Sequence, residues 1–224
     1  MTSSSSSHAG SGDAADVPTV RVGYVGLGNL GEHLAMSLVR AGHHLTVTDL
    51  DRSRAERLVA AGATWAADAA AVGAASDVVF TCLPSPAAVD AVVAGAGGLL
   101  SGMSPGSTWI DNSTTDREAT SRLAALAAER GIRVLEAPVT GGVHKAAAGE
   151  ITVLVGGPDD LVAEHRHLLE AIGSPVLHMG PMGSAAVIKV STNLLAFIHL
   201  DAAGATLLDA GLMPPGRALS AQPG

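Results

Sequence analysis

Two periodicities alternate along this chain. Short apolar runs bounded by Gly, Pro, Asp or Ser are separated by longer stretches in which Leu, Val and Ala return every three or four positions. Residues 20–25 form the first run, 29–40 carry Leu30, Leu34 and Leu38 on one helical face, and 44–48 form a second run. The pattern then predicts helix 52–61, strand 64–65, helix 67–73, strand 77–83, helix 86–94, strand 107–111, helix 116–130 and strand 132–136. A strand that follows each helix returns parallel to the strand before it, with helices covering both faces of the sheet. The expected fold is therefore α/β: a Rossmann-type, doubly wound, mainly parallel sheet followed by a long C-terminal helix.

Further along, strand 151–155, helix 158–172 and strand 175–178 are expected to extend the sheet. After the break Met179-Gly-Pro-Met-Gly183 comes a helical stretch over 184–210, roughly 40 Å long at the usual rise. A helix of that length does not bury both ends against one Rossmann unit. Leu194, Leu195, Phe197, Ile198, Leu200, Leu207 and Leu208 surround it instead of forming one stripe, as expected of a helix enclosed by others or pairing with a second copy. The expected organisation is a disordered tail (1–17), a dinucleotide-binding domain (18–180), a long interdomain-type helix (183–211) opening a shortened helical domain, and an irregular tail (212–224).

Composition narrows the function. The chain has 224 residues, 47% hydrophobic but only 2% aromatic, so its core is built from Ala, Val and Leu. A formal charge of −8 leaves no basic block to neutralise nucleic acid or an anionic membrane, and any phosphate site must be made locally. The serine-rich start has neither a positive nor an apolar segment of a signal peptide. The long apolar stretch contains His199, Asp201 and Asp209, which are costly in hydrocarbon, so no membrane span is expected. The single cysteine, Cys82, has no partner for an internal disulfide, and a cytoplasmic location is expected.

The chemistry begins at the first strand-to-helix turn, Gly26-Leu27-Gly28-Asn29-Leu30-Gly31. In such a unit the first glycine makes the tight turn, the second lets backbone approach a pyrophosphate, and the third lets helix and strand pack closely. The helix start supplies free N–H groups for phosphate. Asp49 follows Gly31 by 18 residues, where a carboxylate accepts a ribose hydroxyl. This favours NAD, while Arg52 and Arg54 leave NADP possible by offering charge to a 2′-phosphate.

Three later segments offer reactive groups. Lys189 and Asn193 stand four apart near the start of the long helix and share a face. Taken alone, the lysine reads first as a snorkelling side chain on a packed helix. Segment 136–142 ends a strand with Thr140, Gly141 and Gly142, a hydroxyl and backbone N–H groups suited to a small carboxylate, or else an ordinary glycine turn. Ile110-Asp-Asn-Ser-Thr114 ends another strand at the carboxyl edge, where ligands of open sheets bind, and its alternative reading is a helix cap by Ser113 or Thr115. His33, His43, His144 and His178 show no ligand spacing, so no metal is expected.

Taken together and in order, these blocks resemble the β-hydroxyacid dehydrogenase family, which includes 3-hydroxyisobutyrate dehydrogenase and tartronate semialdehyde reductase. The resemblance rests on 26–31 with Ala41-Gly-His43 and Asp49, on Cys82-Leu-Pro84, on Asp111-Asn-Ser-Thr114, and on Ala137-Pro-Val-Thr-Gly-Gly142 with Gly149-Glu-Ile-Thr152 and Lys189-Val-Ser-Thr-Asn193. It implies hydride transfer between NAD(P) and a small β-hydroxy acid or semialdehyde. It also implies that Lys189 is the catalytic acid–base, that Asn193 and Thr140, Gly141 and Gly142 hold substrate, and that Leu83, Pro84 and Thr114 touch the cofactor. Thr140 and Arg117 depart from the family's usual serine and proline. The proline- and glycine-rich residues 214–224 stand where the family continues into a closing helical bundle. That departure keeps open a nucleotide-binding protein without turnover. An imine reductase is a further alternative, although members of that group commonly carry another residue at the lysine position.

Overall fold

The structure, a computed structural model, describes residues 20–209, with side chains described as far as Leu200. The tails expected at 1–17 and 212–224 lie outside the described residues.

Strands β1 (Val22–Val25), β2 (Leu45–Thr48), β3 (Thr64–Trp65), β4 (Val78–Thr81), β5 (Thr108–Asp111) and β6 (Arg133–Glu136) form a parallel sheet. Its helices are α1 (Gly31–Arg40), α2 (Glu56–Ala60), α3 (Ala69–Ala75), α4 (Pro86–Ala94), α5 (Leu99–Gly102) and α6 (Arg117–Ala128). The order of these six is β3-β2-β1-β4-β5-β6. Chain order reverses beside β1, so the switch point that opens a ligand crevice lies between the carboxyl ends of β1 and β4.

Alternation within the central strands builds two cores. Val22, Tyr24, Val78, Phe80 and Ile110 join Leu34 and Leu38 on one face, while Val25, Val79 and Trp109 join Val72, Val89 and Leu123 on the other. Period-2 side chains leave a strand apolar on both faces only when both are covered, which is why these segments read as continuous apolar runs.

The second half adds β7 (Val139–Thr140), α7 (Gly142–Ala148), β8 (Thr152–Gly156), α8 (Asp159–Glu164), α9 (Arg166–Ile172), β9 (Val176–Gly180) and α10 (Ser184–Asp209). Strand β8 runs antiparallel to β6 and β7, and β9 parallel to β8. Several details depart from the pattern. The helix expected over 158–172 breaks at His165, whose buried ring reaches Thr108 Oγ1 at 2.9 Å. Residues 52–61 start as a 3-10 turn (Arg52–Ala55) before α2. Helices α5 and α7 and strand β7 lie outside the predicted elements. Strand β7 continues the line of β6 past Pro138, which has no N–H for the ladder but accepts from Leu154 N–H at 2.9 Å. Strand β9 runs to Gly180, into the segment expected to break the chain.

Helix α10 packs near its start on β8, β9 and α6. Beyond that turn Leu194, Leu195, Phe197 and Ile198 are each more than half exposed. Among the described residues no helix is long and apolar enough to cross a membrane.

Candidate dinucleotide and acid–base site

At the β1–α1 turn Gly26 has φ +93° and donates its N–H to Thr48 O at 3.0 Å. A Cβ on Gly31 would stand 2.1 Å from Gly26 O, so this glycine lets the helix close onto the turn. A Cβ on Gly28 would meet nothing within 4 Å. The N–H groups of Gly28, Asn29 and Leu30 meet no acceptor among the described residues, leaving a row of donors beside open space at a helix start. This is a surface that fits a pyrophosphate.

Asp49 ties this loop to the end of β2. Its Oδ2 accepts Leu27 N–H at 2.6 Å and its Oδ1 accepts Asp51 N–H at 2.9 Å. Asp51 accepts the Ser53 hydroxyl at 2.7 Å and N–H at 3.0 Å, and these bonds hold its carboxyl below the usual range. Arg52 stands over the Trp65 ring, 5.7 Å from its centroid, while Arg54 is exposed. Of the two arginines, one is thus already engaged with an aromatic face.

Across the crevice a buried polar chain sets the loops after β4 and β5. Trp109 Nε1 donates to Thr81 Oγ1 at 2.9 Å, Thr81 donates to Asp111 Oδ1 at 2.7 Å, and the same oxygen accepts Ser113 N–H at 3.0 Å. Ser113 Oγ in turn accepts Leu83 N–H at 2.9 Å. Tyr24 OH donates to Asn112 Oδ1 at 3.1 Å, and Asn112 Nδ2 donates to Ala137 O at 2.8 Å. Leu83 is half-buried, and Pro84 and Thr114 are exposed at the rim. Burial pushes the Asp111 carboxyl up, and burial together with Asp111 pushes the Cys82 thiol up to about 12, so the thiol stays protonated. Neither Ser113 nor Thr115 caps α6. That cap is Asp116, whose Oδ1 accepts Ala119 N–H at 2.8 Å, whereas Thr115 bonds Thr120 and Ser113 holds Leu83.

The third group gathers around Glu136. This carboxylate, 3% exposed, accepts Ala185 N–H at 2.8 Å and Ala186 N–H at 3.1 Å, binding the first turn of α10 to the end of β6. Thr140 lies four residues beyond Glu136, half-buried at the end of β7, and Gly141 and Gly142 follow with φ +136° and +79°. Lys189 lies one turn beyond Ala185, half-buried, and burial holds its ammonium below the usual lysine range. Asn193, also half-buried, is one turn further on. Among the described residues Lys189 has no ion-pair partner, and no three His, Cys, Asp or Glu side chains group as metal ligands.

The structure thus brings Gly26, Leu27, Gly28, Asn29, Leu30, Gly31 and Asp49 into one loop and sets Leu83 beside it, because a Cβ on Gly26 would meet Leu83 Cδ2 at 2.9 Å. Glu136 bonds the first turn of α10, one turn ahead of Lys189, and Thr140 follows Glu136 by four residues along the chain. Glu136 is the residue sequence reading missed as a site residue: its partners lie 49 and 50 positions away, and no local pattern signals them.

Comparison with known proteins follows the same outline. The family described as the NAD binding domain of 6-phosphogluconate dehydrogenase matches residues 21–180. An NAD-dependent L-serine dehydrogenase of Pseudomonas aeruginosa is 38% identical over 189 residues, 84% of this chain and 63% of that protein. A crystal structure of 3-hydroxyisobutyrate dehydrogenase from Salmonella typhimurium superposes with a TM-score of 0.80 at 32% identity, covering 88% of this chain and 69% of the other. An imine reductase from Myxococcus stipitatus in complex with NADP+ has a TM-score of 0.76 at 18% identity, covers 82% of this chain and 63% of its own, and shows the fold alone. The chain spans about 60% of the length of the curated relatives it matches.

Proposed function

The chain belongs to the β-hydroxyacid dehydrogenase family and carries its NAD-binding domain, and on that premise we propose that it transfers hydride between NAD and a small β-hydroxy acid or its semialdehyde, with Lys189 as general acid–base. The observation that carries the proposal is Lys189 itself. It is half-buried without an ion-pair partner among the described residues, on a helix tied to the carboxyl edge of the sheet. Such a lysine carries its charge less tightly than one in water and gives up its proton more readily.

The residues that would hold the dinucleotide are the donors of Gly28, Asn29 and Leu30, the open flank of Gly28, the Asp49 carboxylate, and Leu83, Pro84 and Thr114 across the crevice. The dinucleotide, when bound, accepts or supplies the hydride. Lys189 Nζ takes the proton from the substrate hydroxyl in oxidation and, as ammonium, returns it to the carbonyl oxygen in reduction. Thr140 Oγ1 and the N–H groups of Gly141 and Gly142 hold the substrate carboxylate, and Asn193 orients the reacting hydroxyl. None of these roles needs a metal ligand. NAD is favoured over NADP because the Asp49 carboxylate repels a 2′-phosphate and Arg52 is drawn onto Trp65.

The test is oxidation of NADH and NADPH by the purified chain with tartronate semialdehyde and methylmalonate semialdehyde, alongside Lys189→Ala. Turnover that Lys189→Ala abolishes, with NADH affinity kept, supports the reading, and full activity in the variant removes Lys189 from its role. A second reading, dinucleotide binding without turnover, is favoured by the exposed apolar side chains of α10, which no described residue covers. The same titration separates it, as binding without oxidation. We also assign that apolar side of α10 to contact with a second copy of the chain.

A further inference from the structure

We propose that Glu136 is a positioning residue for Lys189. Its buried carboxylate sets the pose of the first turn of α10, and through it the place of the lysine one turn on. The inference rests on the reading of Lys189 as the acid–base group.

The geometry around Glu136 is that of a built clasp. Both carboxylate oxygens are used, Oε1 by Ala185 N–H at 2.8 Å and Oε2 by Ala186 N–H at 3.1 Å. An anion at a helix start meets both the free N–H groups and the positive end of the helix dipole. Ala185 and Ala186 are themselves almost fully buried, so this turn is sealed against the domain, while Val187, Ile188 and Val190 just beyond it are exposed. The clasp is also the costly choice. Glu136 pairs in register with Asp111 on β5, and burial beside that second carboxylate disfavours its charge. A simple N-cap needs only Ser or Asp at the helix itself, whereas here a strand from the cofactor-binding sheet supplies the acid. Space for it exists because β8 has Gly156 opposite, where a Cβ would stand 2.1 Å from Glu136 Oε1. Glu136 therefore couples the sheet edge, and the Thr140 segment continuing from it, to the helix that carries Lys189.

The chain contains two lysines, Lys145 and Lys189, so reductive methylation with ¹³C-formaldehyde gives two side-chain signals, told apart by Lys189→Arg. In the unsubstituted protein the Lys189 signal should titrate below the ordinary lysine range. Two variants loosen the clasp by different means: Glu136→Gln keeps the shape but puts a donor against one N–H, and Gly156→Ala keeps the charge but displaces the carboxylate. We expect the Lys189 titration to rise toward the ordinary lysine range by about half a pH unit or more in both, with kcat falling roughly tenfold and the KM for the dinucleotide unchanged. A purely structural Glu136 would lower the melting temperature and leave the Lys189 titration of the folded protein where it was, and that result overturns the proposal. Turnover of Lys189→Ala separately judges the acid–base reading, because the titration does not depend on activity.

Discussion

Asp49→Asn is the substitution whose consequence can be worked out in two parts. The side chain keeps its shape and loses its charge. In the structure the two oxygens accept Leu27 N–H at 2.6 Å and Asp51 N–H at 2.9 Å, so an amide can satisfy one donor and must turn an NH₂ toward the other. Loss of a hydrogen bond to a charged acceptor costs about 1.5–3 kcal/mol, and this loosens the glycine loop for either dinucleotide. The charge acts differently. A carboxylate and a 2′-phosphate about 5 Å apart repel by roughly 3 kcal/mol at an effective dielectric of 20, and screening at the half-buried Asp49 past the end of β2 reduces that to about 1 kcal/mol. NADH affinity should therefore fall about tenfold or more. NADPH affinity should fall less, so that the preference between them shrinks by roughly fivefold. Fluorescence titration of both cofactors with the parent chain and the variant reads this directly. Equal weakening of NADH and NADPH would mean that Asp49 only braces the loop and does not read the ribose.

Gly28→Ala adds a methyl into open space and should leave stability within about 0.5 kcal/mol while lowering NADH affinity at least tenfold. Gly31→Ala must push against Gly26 O and should cost about 1–3 kcal/mol of stability. Normal NADH binding by Gly28→Ala in the same titration would refute the pyrophosphate assignment. The buried His165, with Nε2 on Thr108 and Nδ1 unpartnered, has its pKa lowered by burial. The unfolded chain then binds this proton more readily than the folded one, so stability is lost as pH falls below the ordinary histidine range toward the lowered value. His165→Gln should flatten that acid limb in melting curves, and an unchanged slope would exclude His165 as its source. Leu195→Asp and Phe197→Asp place charge on the exposed side of α10 and should weaken self-association in sedimentation without altering the fold. A dimer that persists in both would place the contact elsewhere.

The parallel sheet and the dinucleotide turn were legible because both are local. Val22, Tyr24, Phe80 and Ile110 declare buried strands by type and period, and Gly26, Gly28, Gly31 and Asp49 fall within one βαβ unit, where spacing along the chain is spacing in the crevice. Boundaries were less legible: helix α5 and strand β7 span only four and two residues, and helix α7 starts inside the glycine turn at Gly141 and Gly142. His165 splits an otherwise continuous helical pattern for a reason, its bond to Thr108, that lies 57 positions away.

What the amino-acid order by itself determined is most of the strands and helices, the glycine turn between β1 and α1, and that Lys189 and Asn193 share a helix face. Only the tertiary structure decided how those pieces are held. It turned β8 against β6, linked Trp109, Thr81, Asp111, Ser113 and Leu83 in one buried polar chain, and set Glu136 under the first turn of α10 opposite Gly156. The physical reason is that periodicity and capping are set by neighbours a few residues apart. A buried carboxylate, by contrast, is tolerable only where distant backbone supplies its donors, and that pairing exists only once the sheet has formed.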